Sequence, residues 1–280
     1  MVRYLLLTSA LACSDYEIHQ KPPENSDRTE AQLVPDTGLL DTGLGAIPEG
    51  DETEDEVPPE VAQDDPPVDQ PDQPVYLHTG QTLYSWNPSS GQLRIVGNFE
   101  TSMGLPVDEI TDIAIDGDGR FYGVSYDTLY GIDGHTAEVW PIASLQVPLF
   151  GLTCTSDGRL VGGGDGLFEI DTTTGQLTTL VPEGQYMTSG DLVGLPDGLL
   201  YWAVREGDDL VVVDPFSGIT VPRGEIGVTS IYGLGYADGS LYGFTEDGRA
   251  LEIDATTGQV IDTISLPGAW WGATTNPVVW

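Results

Sequence analysis

The chain has 280 residues, with 45 acids against 9 bases, a formal net charge of −36, 36 glycines and 20 prolines. That excess of carboxylate repels polyanions and excludes nucleic acid as a partner, because phosphate binding needs Lys and Arg to displace counterions. The glycines, the 12 tyrosines and the absence of a sustained 3.6-residue apolar period exclude a helical bundle and point to many short strands joined by tight turns.

In chain order, the first segment is "MVRYLLLTSALAC", with one base at Arg3, an apolar stretch from Leu5 to Ala12 and small residues before Cys13. It resembles a bacterial lipoprotein signal peptide, with Ala10, Leu11, Ala12 and Cys13 standing as the lipobox. That resemblance implies cleavage after residue 12 and acylation of Cys13. The apolar stretch is too short to span a bilayer, which takes about 20 helical residues. Acyl chains instead hold a protein by about 0.8 kcal/mol per buried methylene. Ser14 directly after the cysteine resembles lipoproteins sent to the outer membrane, so the expected address is the bacterial cell envelope.

Residues 13–74 follow as a linker. From residue 14 onward they carry 18 acids, 2 bases and ten of the prolines, with runs such as "EGDETEDEVPPE". Such a segment buries too little apolar surface to offset its ordering entropy and reads as a disordered, self-repelling tether. Asp36-Thr37-Gly38 and Asp41-Thr42-Gly43 within it match the phrase of aspartic proteases. Those enzymes hold two such carboxylates face to face on folded lobes. Five residues apart in a proline-rich tether, the triplets read as local turns.

From residue 75 onward one phrase recurs: "LYSWNPSSGQL", "LYGIDGHTAEV", "LFEIDTTTGQL", "LVVVDPFSGIT" and "LEIDATTGQV". Its acid or amide falls at Asn87, Asp133, Asp171, Asp214 and Asp254, spaced 46, 38, 43 and 40. Each copy reads as a hairpin whose Asp bonds the corner backbone and whose Gly takes the left-handed position. A second phrase precedes every hairpin but the first, with corner aspartates Asp118, Asp157, Asp197 and Asp238. Each unit therefore holds four strands, and four-stranded units with a period near 40 predict propeller blades. The first unit lacks its opening strand, while "WWGATTNPVVW" at the C-terminus is a strand without a unit. The expectation is an all-β fold: a five-bladed β-propeller of four-stranded blades over residues 75–280, closed by the C-terminal strand and preceded by the disordered tether. The phrase "LYxIDxxTG" resembles the repeats of the quinoprotein-like and WD40-like propeller superfamily. Propellers host enzymes, lectins and scaffolds alike, so the resemblance implies architecture rather than chemistry. The tryptophan-docking pattern of quinone-binding members is missing, and no cofactor is expected.

Little in the inventory points to catalysis. Cys154 occupies a strand position held by apolar residues in other blades and reads as a buried thiol. His19, His78 and His135 show no metal-ligand spacing, and Asp116-Gly117-Asp118-Gly119 lacks the later acidic ligands of a calcium loop. No metal is expected. The repeated aspartates read as turn formers. Function is sought where the blades differ, on the face shared by the loops between second and third strands and the loops between blades. The expected binding face comprises Tyr126, Asp127, Asp165, Tyr186, Glu206, Asp208, Asp209, Tyr232, Glu246, Asp247, Trp270 and Trp271, an acidic rim around aromatic residues that suits a glycan or a basic protein. The leading expectation is a monomeric, non-enzymatic, lipid-anchored binding or scaffold protein. A glycoside hydrolase or lyase of the envelope and a spacer without a ligand are the alternatives.

Overall fold

The structure, a computed structural model, describes residues 73–205 and 208–279. The expected signal peptide, Cys13 and the tether up to residue 72 lie outside those residues, as does Glu206. The described chain opens with β1 (Val75–His78), β2 (Thr82–Asn87) and β3 (Gln92–Asn98). The second blade is β4 (Asp112–Ile115), β5 (Phe121–Val124), β6 (Thr128–Ile132) and β7 (Val139–Ser144). The third is β8 (Gly151–Cys154), β9 (Leu160–Gly164), β10 (Gly166–Ile170) and β11 (Leu177–Val181). The fourth is β12 (Thr188–Gly194), β13 (Leu200–Val204), β14 (Asp209–Val213) and β15 (Thr220–Glu225). The fifth is β16 (Ile231–Ala237), β17 (Ser240–Thr245), β18 (Arg249–Ile253) and β19 (Val260–Ser265), and β20 (Gly272–Thr274) follows.

β20 does not start a sixth unit. It pairs antiparallel with β1, placing Thr274 against Tyr76, Ala273 against Leu77 and Gly272 against His78, so the first sheet has the order β20-β1-β2-β3. Five four-stranded antiparallel sheets result, the five-bladed β-propeller expected from the repeat. The tail thus supplies the first blade's innermost strand and removes the open edge that an unpaired β1 would present.

The repeated phrase works through local hydrogen bonds. Asp133 Oδ1 accepts from the backbone N–H groups of His135 (2.8 Å) and Thr136 (3.0 Å). Asp171 does the same for Thr173 and Thr174, Asp214 for Phe216 and Asp254 for Thr256. These bonds satisfy corner donors and hold each carboxyl below the usual carboxylate range. In the second phrase the bonding atom varies between blades. Asp116, rather than Asp118, accepts from the corner N–H groups of Asp118 and Arg120. Asp118 instead pairs with the Arg120 guanidinium at 2.8 Å.

Between neighbouring blades lie five apolar clusters, one per junction. Trp86 and Phe244 meet edge to face, with centroids 5.7 Å apart, between the first and fifth blades. Cys154 is buried in the cluster between the second and third, where burial pushes its thiol pKa well up and leaves it a packing group.

Candidate functional site

The five inner strands β20, β4, β8, β12 and β16 begin on one face, and their entry segments line a cavity of about 230 Å³. Thr111, Tyr126, Phe150, Ser189, Gly190, Arg205, Tyr232, Glu246 and Trp271 form its walls. Two aromatic walls rest on glycines. A Cβ on Gly80 would lie 3.1 Å from the Trp271 ring, and one on Gly190 would lie 2.8 Å from the Tyr232 ring, so both rings settle where no side chain intervenes. Tyr126 and Phe150 meet edge to face at 5.9 Å. Thr111 Oγ1 donates into the backbone, with Val124 O and Leu149 O each 3.0 Å away.

Of the residues expected on the binding face, Tyr126, Tyr232, Glu246 and Trp271 line this cavity together. Three other hollows each share one of its residues. One shares Tyr126 and is lined by Asp108, Glu109 and Asp127. Another shares Phe150 and carries Asp165 and Glu183, and a third shares Glu246 and carries Asp247. The remaining expected residues are engaged elsewhere. Asp165 accepts from Gly184 N at 2.6 Å, and Asp247 pairs with Arg249 at 2.8 Å. Tyr186 packs edge-on against buried Trp202 at 5.8 Å. Asp208 takes a left-handed turn with φ of 53°, and Asp209 opens β14. Trp270, expected at the mouth with Trp271, is fully buried between the first and fifth blades. It lies edge-on to Tyr84 at 5.2 Å and donates its Nε1–H to Leu266 O at 2.9 Å. Adjacent residues entering a strand point to opposite faces, so only one of the two indoles can reach the cavity.

Beneath the cavity lies a cluster that sequence reasoning missed. Asp112 follows Thr111, Asp191 follows Gly190, and both carboxyls are fully buried and close enough to interact. Asp112 Oδ1 accepts from Ile113 N at 2.8 Å, and its Oδ2 reaches the third blade, accepting from Leu152 N at 2.6 Å. Asp191 Oδ1 accepts from Leu192 N at 2.5 Å, and its Oδ2 accepts from Leu234 N of the fifth blade. His78, also fully buried, donates through Nδ1 to Thr79 O at 2.9 Å and holds Nε2 3.6 Å from Asp112 Oδ1. The two carboxyls therefore strap neighbouring inner strands together. Burial pushes Asp191 up to about 8, and burial followed by the nearby Asp191 charge raises Asp112 well above the carboxylate range. Burial brings His78 down to about 4, so it is neutral at neutral pH. Among the described residues no group of three or more His, Cys, Asp or Glu is arranged to hold a metal ion.

No protein-family model matches the chain, and neither does any curated protein. Solved structures do resemble it. A chain of a nidogen–laminin complex is 12% identical over 74% of this chain and 99% of that one, with a TM-score of 0.50. A protein of unknown function from Bacteroides caccae is 12% identical over 70% of this chain and 73% of that one, with a TM-score of 0.43. The WD40 repeats of RRP9 are 10% identical, covering 69% of this chain and 60% of that one, with a TM-score of 0.45. Identities this low establish likeness of fold alone.

Proposed function

We propose that the chain is a lipid-anchored binding protein of the bacterial cell envelope whose propeller mouth receives a basic segment of a protein partner. The observation that carries this reading is the aromatic cavity of Tyr126, Phe150, Tyr232 and Trp271, with Glu246 in its wall and acid-lined hollows beside it. Aromatic faces attract Lys and Arg side chains by about 0.5–2 kcal/mol, and a neighbouring carboxylate adds charge pairing. The surrounding acids would steer the partner in and raise its association rate. Arg205, the one cation among the described lining residues, narrows the choice to a segment with a carboxylate beside its basic residue. Binding is favoured over hydrolysis because the two carboxyls that converge on the axis are sealed below the cavity floor.

Calorimetric titration with Lys/Arg-rich peptides tests this. The protein should bind them with a strong salt dependence. Trp271→Ala should weaken binding about tenfold or more, a loss of about 1.4 kcal/mol, and Glu246→Gln should weaken it several-fold, with cooperative melting kept in both. Binding of neutral glycans but not of these peptides would overturn the protein-partner reading. Ser14 after Cys13 supports an outer-membrane destination. In bacterial fractionation, Cys13→Ala should move the protein from the membrane to the soluble fraction, and an unchanged distribution would remove the anchor.

A further inference from the structure

We propose that the Asp112–Asp191 pair is a proton-dependent lock on the ring: a proton held between the two carboxyls fastens β4 to β12 beneath the cavity, and its loss on alkalinisation loosens both the ring and the cavity floor. Each carboxyl straps its own inner strand to the next, Asp112 through Leu152 N and Asp191 through Leu234 N, and the two meet across the axis. Asp112 donates and Asp191 accepts, because Asp191 also receives backbone N–H groups from Leu192, Leu234 and Ala273, which favour its charged form. Without the shared proton two carboxylates would face each other in a space closed to water, and neither has a buried cation to offset it.

The other titratable groups around the pair do not take over this role. From β1, His78 faces Asp112, but burial keeps its imidazole neutral above pH about 4. β16 and β20 present backbone N–H groups to the pair through Leu234 and Ala273, and β8 does so through Leu152. On the strands behind, Tyr122 and Tyr201 bond Asp116 and Asp197 at the corner ends, and Cys154 of β8 lies toward Asp116. Tyr232, Glu246 and Arg205 stand in the cavity above. The floor residues Thr111 and Gly190 directly precede the two aspartates, so a separation of β4 from β12 would be felt in the cavity.

The sign of the linkage follows from the raised carboxyl pKa values. The folded pair keeps a proton that the unfolded chain has released above pH about 4, so stability falls as pH rises toward about 8. His78 acts in the opposite direction only between about 4 and 6.5. The window from pH 6.5 to 8 therefore isolates the pair.

The test compares unfolding of the full chain with that of the Asp112→Asn/Asp191→Asn double variant across this window. Any lost hydrogen bond in the variant produces an offset that does not change with pH. The lock adds a slope: the unfolding constant of the parent relative to the Asp112→Asn/Asp191→Asn double variant, which has no carboxyl left to hold the proton, should rise by up to about tenfold per pH unit. Infrared spectra of the carbon-13 aspartate-labelled parent should show a protonated carboxyl at pH 7 that disappears in alkali and is missing from the Asp112→Asn/Asp191→Asn double variant. A ratio that is flat with pH, or a fully ionised aspartate spectrum at pH 7, would overturn the lock. Neither measurement involves a ligand, so failure of the binding assignment would leave the result standing, and the reverse holds as well.

Discussion

Removing residues 267–280 is expected to abolish cooperative unfolding of the propeller rather than lower its melting temperature by a few degrees. The tail fills the innermost position of the first blade, and β1 has no other partner on that side. Deleting it uncovers Val75 and Leu77, both fully buried, and takes away Trp270 and Ala273 from the cluster between the first and fifth blades. An aromatic side chain of this size buries about 150–250 Å². At about 25 cal/mol per Å² the indole alone is worth about 4–6 kcal/mol. Net domain stability is typically only about 5–15 kcal/mol, so the lost indole, the lost β1 pairing and the open axis together should consume it. Circular dichroism melts check this. Deletion should give a broad, low-amplitude transition, and adding the 267–280 peptide in trans should restore part of the cooperativity. A truncated protein melting sharply at the parent temperature would refute ring closure by the tail.

How much of this was legible in the sequence depends on how local each signal is. The hairpin phrase could be read because one aspartate and one residue in the left-handed region complete a corner by themselves. Gly175, Gly218 and Gly258 have φ of 70°, 69° and 78°, and Ala137 takes the same conformation where glycine is missing. Counting strands then exposed the blade completed by the tail. The cavity was partly legible, since Tyr126, Glu246 and Trp271 lie on loops, and Tyr232 at the start of β16, that propeller topology gathers on one face. The burial of Trp270, expected at the mouth beside Trp271, was not. The segment between β19 and β20 has no strand period from which to tell inward from outward residues.

Asp112, Asp191 and His78 were missed for a different reason. In a repeat array recurrence marks a structural acid, and Asp112 and Asp191 do not recur at every blade. Once the inner strands are registered by their cross-blade bonds, one ring position reads Asp112, Gly151, Asp191, Gly233 and Gly272. Two acids that converge need room, and glycine in the other three blades provides it. That pattern is present in the sequence but becomes visible only when five strands separated by about forty residues are laid side by side.

The same ring position yields the sharpest single-residue expectation, because Gly272→Ala would place a methyl group into the axial cluster. Its Cβ would lie 2.2 Å from Asp112 Oδ1 and 2.2 Å from His78 Nε2. Gly272 does not occupy the left-handed region, so the cost is one of space rather than of backbone preference. His78 is enclosed on β1 directly opposite Gly272, and Asp112 can retreat only by releasing Ile113 N and Leu152 N. Overpacking costs about 1–3 kcal/mol, and each buried hydrogen bond broken adds about 1–3 kcal/mol. A total near 4 kcal/mol should lower the melting temperature by about 8–16 °C for a domain of this size. Gly239→Ala is the contrast: its φ is 85° with nothing within 4 Å of the new Cβ, so strain alone should cost about 1 kcal/mol. A double-mutant cycle separates crowding from any general loss. In an Asp112→Ala background the carboxyl that obstructs the methyl is gone, and Gly272→Ala should then cost markedly less, with a coupling of about 1–3 kcal/mol. If Gly272→Ala melts within about 2 °C of the parent, or costs the same in both backgrounds, the carboxyl does not crowd this glycine, and the cross-blade strap through Asp112 is looser than its hydrogen bonds imply.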